Sequence, residues 1–144
     1  MNKTIAISLL VAITSSIALA ESLEETKFWK KEQNYMDEHL KTASDACGVK
    51  FTFEWSDKAS LRTEVEKTKH SPFGVCSNIV DEVASLCRAG ADEKAAVKAK
   101  IAGFQCGFAN PRTLTLSGKT LVYKGNNVQP NFSDWAKPIL EKSL

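Results

Sequence analysis

Four cysteines behind an N-terminal export signal constrain this chain more than any other feature. Cys47, Cys76, Cys87 and Cys106 form an even set. Thiols that reach an oxidising compartment usually pair. The sequence therefore predicts a periplasmic or secreted protein in which two disulfides hold the fold together.

The first 20 residues have the three-part pattern of a signal peptide. Lys3 supplies a positive charge, an apolar run follows, and Ala18-Leu19-Ala20 forms a cleavage site. The run is shorter than the ~20 apolar residues that span a bilayer, and Glu21 rather than a cysteine follows the site. We therefore expect a cleaved leader over residues 1–20 and no permanent membrane anchor.

Residues 21–144 have the length of a single α+β domain. Of the 19 Lys and Arg residues only Lys3 lies in the leader, so 18 basic residues face 17 acidic ones. A nearly neutral balance with only short lysine groups, such as Lys30-Lys31, is typical of solvated surfaces. We therefore expect no nucleic-acid partner.

Apolar residues at helical spacing predict a long first helix from Leu23 to Cys47. Trp29 and Met36 lie on its apolar stripe and Tyr35 lies beside them. We interpret these three side chains as core packing, with an aromatic ligand platform as the alternative.

Cap residues predict a second long helix, which begins at Ser71-Pro72 and ends near Ala89. A short helix is expected after Ser56-Asp57. Another is expected at the C terminus, where Ser133 is the predicted cap and Pro138 should kink the helix or delay its start. Residues 94–100 fit either a helical turn or the start of a strand.

Alternating apolar and polar residues predict strands at Val49–Trp55 and from Ala102 to Phe108. A hairpin around Ser117-Gly118 should join two further strands, with Leu114 opposite Leu121. Helices grouped beside strands indicate the α+β class. We predict a small antiparallel sheet of about four strands, covered on one face by helices, with a long N-terminal helix and two disulfides.

Helix geometry restricts the disulfide pairing. Cys76 and Cys87 are separated by about 16 Å along the axis of one helix, whereas a disulfide needs Cα atoms within about 7 Å. The returning strand should bring Cys106 to the start of this helix. We predict Cys47–Cys87 and Cys76–Cys106, and the alternative is Cys47–Cys76 with Cys87–Cys106.

Catalytic patterns are sparse. Cys76 lies near a helix N terminus, where the dipole favours a thiolate, and His70 could act as its base, so one alternative is a thiol redox protein centred on Cys76. Another is a small secreted hydrolase that uses His39 or His70 in a triad assembled from distant residues. The histidine and cysteine spacings match no metal motif, and we expect no cofactor.

The function that we infer is a non-catalytic binding or interaction module of unknown ligand, whose partner is an envelope or extracellular protein. An inhibitor or toxin-neutralising protein is a further alternative. Candidate contact surfaces are the solvent-facing side of the sheet and the loops Gly125–Asn131 and His70–Val75, because loops on a rigid scaffold often carry recognition.

Overall fold

The computed structural model describes the backbone of residues 11–126 and 130–144, and the side chains from Leu23 onward within these ranges. The described helices and strands are, in chain order, α1 Val11–Cys47, β1 Thr52–Trp55, α2 Lys58–Thr68, α3 Pro72–Ala89, α4 Ala91–Lys100, β2 Gly103–Phe108, β3 Thr113–Ser117, β4 Thr120–Gly125 and α5 Phe132–Ser143. The α+β class, the four-stranded sheet, the long first helix and two disulfides are thereby confirmed.

Helix α1 begins upstream of the predicted start at Leu23 and ends where Gly48 adopts a left-handed φ of 68°. Its stripe of Trp29, Met36, Leu40, Ala43 and Cys47 is buried. Tyr35, by contrast, is exposed. The predicted signal peptide falls on residues whose side chains lie outside the described part of the chain, and it stays a prediction.

Helix α3 crosses the centre of the molecule, and its N terminus receives two side-chain acceptors. Ser71 Oγ accepts a hydrogen bond from Gly74 N at 3.2 Å, and Pro72 occupies the first turn. The buried carboxylate of Glu32, on α1, accepts a hydrogen bond from Phe73 N at 2.9 Å. These bonds satisfy amides that a helix start leaves unpaired, and they connect α3 to α1.

The sheet has the strand order β1-β2-β4-β3, and its strand directions differ from the antiparallel prediction. Strands β1, β2 and β4 are parallel, and only β3 and β4 are antiparallel. Three helices separate β1 from β2, which gives the chain enough length to return to the same end of the sheet before it enters β2. Strand β3 lies at the edge of the sheet and is not adjacent to β2, because β4 lies between them.

The β3–β4 hairpin is shifted by two residues from the predicted register. Leu116, not Leu114, is opposite Leu121, and the two turn residues are Gly118 and Lys119. Gly118 has a φ of 60°, which suits the first central position of a type II′ turn. A shift of two residues preserves the side-chain faces, so both leucines still face the helices.

The C-terminal helix α5 begins at Phe132, with Asn131 rather than Ser133 at the N-cap position. Ser133 lies inside the first turn, and its hydroxyl donates to the buried carboxylate of Glu82 on α3. Pro138 lies within the helix and does not delay its start.

The ambiguous segment 94–100 belongs to α4, which begins at Ala91. Over the described residues, no helix combines the length and apolar character needed to cross a membrane.

Candidate functional site

Two disulfides fix α3 to its neighbours. Cys47 at the end of α1 bonds Cys87, with Cα atoms 5.0 Å apart, and Cys106 in β2 bonds Cys76, with Cα atoms 5.9 Å apart. These are the two pairs that the sequence analysis favours. All four cysteines are bonded, so Cys76 presents no thiol for His70 to activate. His70 itself is exposed.

An open cleft lies where the β2–β3 loop meets the first turn of α5. Its volume is about 590 Å³, and its lining consists of two prolines, two polar side chains, one cation and one indole: Pro111, Pro130, Asn131, Asp134, Arg112 and Trp135. Pro130 and Asn131 belong to the predicted contact loop Gly125–Asn131, of which residues 127–129 lie outside the described residues. The other lining residues were not singled out by the sequence analysis.

Arg112 and Trp135 form the charged and aromatic part of this cleft. The guanidinium carbon lies 4.4 Å from the centre of the Trp135 ring, within the range of a cation–π interaction. Arg112 Nη1 also donates to the carbonyl oxygen of Pro130 at 3.2 Å. Both side chains are half-buried. The position of the Arg112 guanidinium in the cleft is therefore set by two contacts, one with the Trp135 ring and one with the Pro130 carbonyl oxygen.

The Trp135 ring that lines the cleft belongs to an aromatic cluster with Tyr123 and Phe132. The ring of Tyr123, on β4, lies 5.2 Å from that of Phe132 and 6.2 Å from that of Trp135. Burial raises the pKa of the Tyr123 phenol, and the positive charge of Arg112 offsets part of this rise. A Cβ atom at Gly125 would collide with the Tyr123 hydroxyl group. Glycine at this position thus allows the phenol to fill the space under α5.

Helix α5 is held to the scaffold by a polar contact as well as by its rings. The carboxylate of Glu82 is buried, and Ser133 Oγ donates to its Oε2 atom. A buried carboxylate needs hydrogen-bond donors to compensate for its lost hydration. The contact fixes the first turn of α5, which carries Asp134 and Trp135, relative to α3.

A second polar arrangement surrounds His39 on α1. His39 Nδ1 lies 2.7 Å from Asp81 Oδ1, and the imidazole lies 4.9 Å from the ring of Phe73 in an edge-on orientation. The exposed ring of Tyr35 lies 5.6 Å from Phe73. Phe73 belongs to the predicted contact loop His70–Val75, which the structure places largely in the first turn of α3. The structure brings His39 and Asp81 together, whereas His70 lies apart from this pair.

This pair resembles part of a catalytic triad, since a carboxylate that accepts from imidazole Nδ1 orients the base. Among the described side chains, none with a hydroxyl or thiol group is hydrogen-bonded to His39. No group of three or more His, Cys, Asp or Glu side chains suited to a metal ion occurs over residues 23–126 and 130–144. Within the described residues, the arrangement therefore has a base and its orienting carboxylate but no adjacent nucleophile.

The sheet face opposite the helices is polar and largely exposed, as the alternation in β1 predicts. Its exposed side chains are Thr52, Glu54, Thr113, Thr115, Ser117 and Lys124. Gln105 Nε2 donates to Glu54 Oε2 at 3.4 Å across β2 and β1. This face carries no aromatic side chain, and glycines occupy its Gly103 and Gly107 positions. Among its exposed side chains, hydroxyl groups predominate.

Comparison of the chain with protein-family models, with curated protein sequences and with solved structures finds no match in any of the three.

Proposed function

We propose that the mature chain is a non-catalytic binding module of the periplasm or extracellular space, and that it contacts a segment of a partner protein at the cleft that Arg112 and Trp135 line. The observation that carries this proposal is the cleft itself. It combines an indole, a guanidinium and two prolines at one place on the surface.

The two disulfides support a location in an oxidising compartment. Both bonds join elements that are distant in sequence, with separations of 40 and 30 residues. Disulfides of this kind persist in oxidising compartments and are rare in the cytoplasm of mesophiles. The predicted signal peptide over residues 1–20 supplies the route of export.

The chemistry of the cleft favours a polypeptide partner. Trp and Arg are enriched among the residues that contribute most to protein–protein affinity, because each offers a large contact area together with polar groups. Asp134 and Asn131 add an acceptor and an amide at the rim. An extended segment with an apolar side chain to pack beside Trp135, flanked by backbone groups, would match this lining.

Pre-organisation also supports a binding role. Cys106, on the strand that leads into the Arg112 loop, is fixed to α3 by a disulfide. On the other side of the cleft, Ser133 is fixed to Glu82 of the same helix. Both walls therefore rest on α3, so a ligand would not have to order them when it binds.

Selection of a random peptide library against the disulfide-intact protein tests the proposal. We expect enriched peptides to bind the wild-type protein and to bind Trp135→Ala about 30-fold more weakly, which corresponds to a typical hot-spot loss of about 2 kcal/mol. Tyr35→Ala is the matched control because it removes an exposed aromatic ring that does not line the cleft.

Peptides that bind both variants equally, or a selection that enriches none, would contradict the proposed site. Thermal unfolding of each variant separates loss of binding from loss of fold. Arg112→Gln provides a second test that leaves the aromatic cluster in place.

A small hydrolase with His39 as base is the second candidate, because Asp81 holds the imidazole as a triad carboxylate would. If this candidate is correct, His39→Ala and Asp81→Asn will abolish hydrolysis of p-nitrophenyl esters or of casein without unfolding the protein. His70→Ala is the matched control. Hydrolysis that is absent from the wild-type protein, or that survives His39→Ala, excludes this role for His39.

A further inference from the structure

Strand β3 forms one edge of the sheet, and its outer side carries backbone groups that no other described strand pairs with. All five residues of Thr113–Ser117 pair with β4. In a hairpin with a two-residue turn, the flanking residues exchange both of their backbone hydrogen bonds, and every second residue does the same. Thr113, Thr115 and Ser117 therefore direct their N–H and C=O groups at β4. Those of Leu114 and Leu116 point away from the sheet.

No described residue pairs with these outward groups. The backbone hydrogen bonds outside the regular helices and strands include none from Leu114 or Leu116. Within the described part of the chain, the edge is thus available for a further strand.

The strand also lacks the features that usually protect an edge from pairing. Natural proteins place lysine, proline, a bulge or an inward charge on exposed edge strands. Thr113–Ser117 reads TLTLS and contains no charge, proline or glycine. Its five consecutive pairs with β4 run without a bulge. It is a regular, uncharged template for an added strand.

The geometry points to a second copy of this chain as the added strand, paired antiparallel to β3 about a two-fold axis at Thr115. In this register Leu114 faces Leu116 of the second copy, and Leu116 faces its Leu114. The four outward N–H groups of the two strands then all find carbonyl acceptors. The segment is self-complementary, as a two-fold interface requires.

The side chains agree with the same register. Leu114 and Leu116 share the helix-covered face, where Leu116 is only half-buried, so the second copy's Leu114 would cover it. On the open face Thr115 meets its own symmetry mate, and cross-strand Thr–Thr pairs are favourable. In this register Arg112 lies opposite the second copy's Gly118. The charge of Arg112 therefore does not face another positive charge across the two strands. The two sheets would join into one of eight strands.

Cysteine cross-linking tests the register directly. Thr115→Cys places two thiols opposite each other across the axis, at a non-hydrogen-bonded pair where Cα atoms approach to about 4.5 Å. We expect mild oxidation to give a covalent dimer whose linking peptide contains residue 115. Thr113→Cys is the matched control. Residue 113 lies opposite residue 117 of the second copy, so the two introduced cysteines are four positions apart along the strand, about 14 Å. Equal cross-linking of both variants, or none of Thr115→Cys, would overturn the proposed register.

Analytical ultracentrifugation of the disulfide-intact protein tests the association itself. We expect a monomer–dimer equilibrium that Thr115→Lys weakens at least about tenfold, because two like charges then face each other. Thr42→Lys adds the same charge at an exposed position on α1 and should leave the equilibrium unchanged. A wild-type protein that stays monomeric at the highest soluble concentration, or a dimer indifferent to Thr115→Lys, would overturn the inference.

Discussion

The guanidinium of Arg112 lies over the ring of Trp135 at 4.4 Å from its centre. The two residues come from a loop between strands and from the C-terminal helix, 23 positions apart in the chain. Their contact closes one side of the cleft and connects the sheet to α5.

The disulfide between Cys76 and Cys106 should contribute a large part of the stability. We expect the double substitution of both residues by alanine to lower the free energy of unfolding by about 2–4 kcal/mol, because the unfolded chain gains freedom when the link is lost. Urea unfolding of the two proteins measures the difference. The corresponding Cys47/Cys87 double variant should show a loss in the same range. A melting temperature that does not change on full reduction would contradict both expectations.

The contact between Ser133 and Glu82 should stabilise the docking of α5. Ser133→Ala removes a donor and leaves a buried carboxylate under-satisfied, which should cost about 1–3 kcal/mol in the free energy of unfolding. Ser85→Ala, an exposed serine on the same helix as Glu82, is the control and should change little. A double-mutant cycle with Glu82→Gln isolates the pairwise energy, and a coupling near zero would mean that the contact contributes nothing.

Glu32 should stabilise the start of α3 from a different helix. Glu32→Ala removes the acceptor for Phe73 N, and an unpaired amide at this half-buried position should cost about 1–3 kcal/mol. Glu32→Gln keeps a side-chain oxygen there and should cost less. Glu38→Ala alters an exposed glutamate on α1 and serves as the control. Chemical denaturation measures all three, and equal effects of Glu32→Ala and Glu38→Ala would refute the capping role.

Tyr123 should make the free energy of unfolding fall as the pH rises in the alkaline range. Burial raises the pKa of its phenol above the usual 10.0, so the folded state favours the neutral form. This contribution is fully present below pH 10.0 and is lost as the pH rises through the folded pKa.

The measurement compares Tyr35→Phe with the Tyr35→Phe/Tyr123→Phe double variant. In the single variant Tyr123 is the sole tyrosine, and its absorbance change should have a midpoint above pH 10.0. Unfolding free energies should fall more steeply above this pH in the single variant than in the double variant. Parallel curves for the two proteins would show that Tyr123 does not carry the effect.

Periodicity was sufficient to predict the elements that build the core. The apolar stripe of α1, the Ser71-Pro72 start of α3 and the alternation in β1 are local signals, and each element formed where its pattern lies. The strand directions were not predictable in this way. They depend on how three successive helices cross between β1 and β2, which no local pattern specifies. The hairpin register likewise depended on which turn position Gly118 takes.

The cleft was only partly predictable. The loop that contributes Pro130 and Asn131 was a candidate because loops on stapled scaffolds often carry recognition. Arg112 and Trp135 carry no motif, and only the folded chain brings them together. A tryptophan on a short amphipathic segment, preceded by a proline-containing loop, is the one sequence signal that could have suggested it. The His39–Asp81 contact is also invisible in the sequence, because 42 positions separate the two residues.

Isothermal titration of a selected peptide into wild-type protein, Arg112→Gln and Arg88→Gln shows whether the peptide binds at the Arg112–Trp135 cleft. Both substitutions remove one arginine charge, but Arg88 is an exposed residue at the end of α3 that does not line the cleft. We expect wild-type affinity for Arg88→Gln and a dissociation constant about 30-fold higher for Arg112→Gln. Equal affinities for the two variants would show that the Arg112–Trp135 cleft is not the binding site.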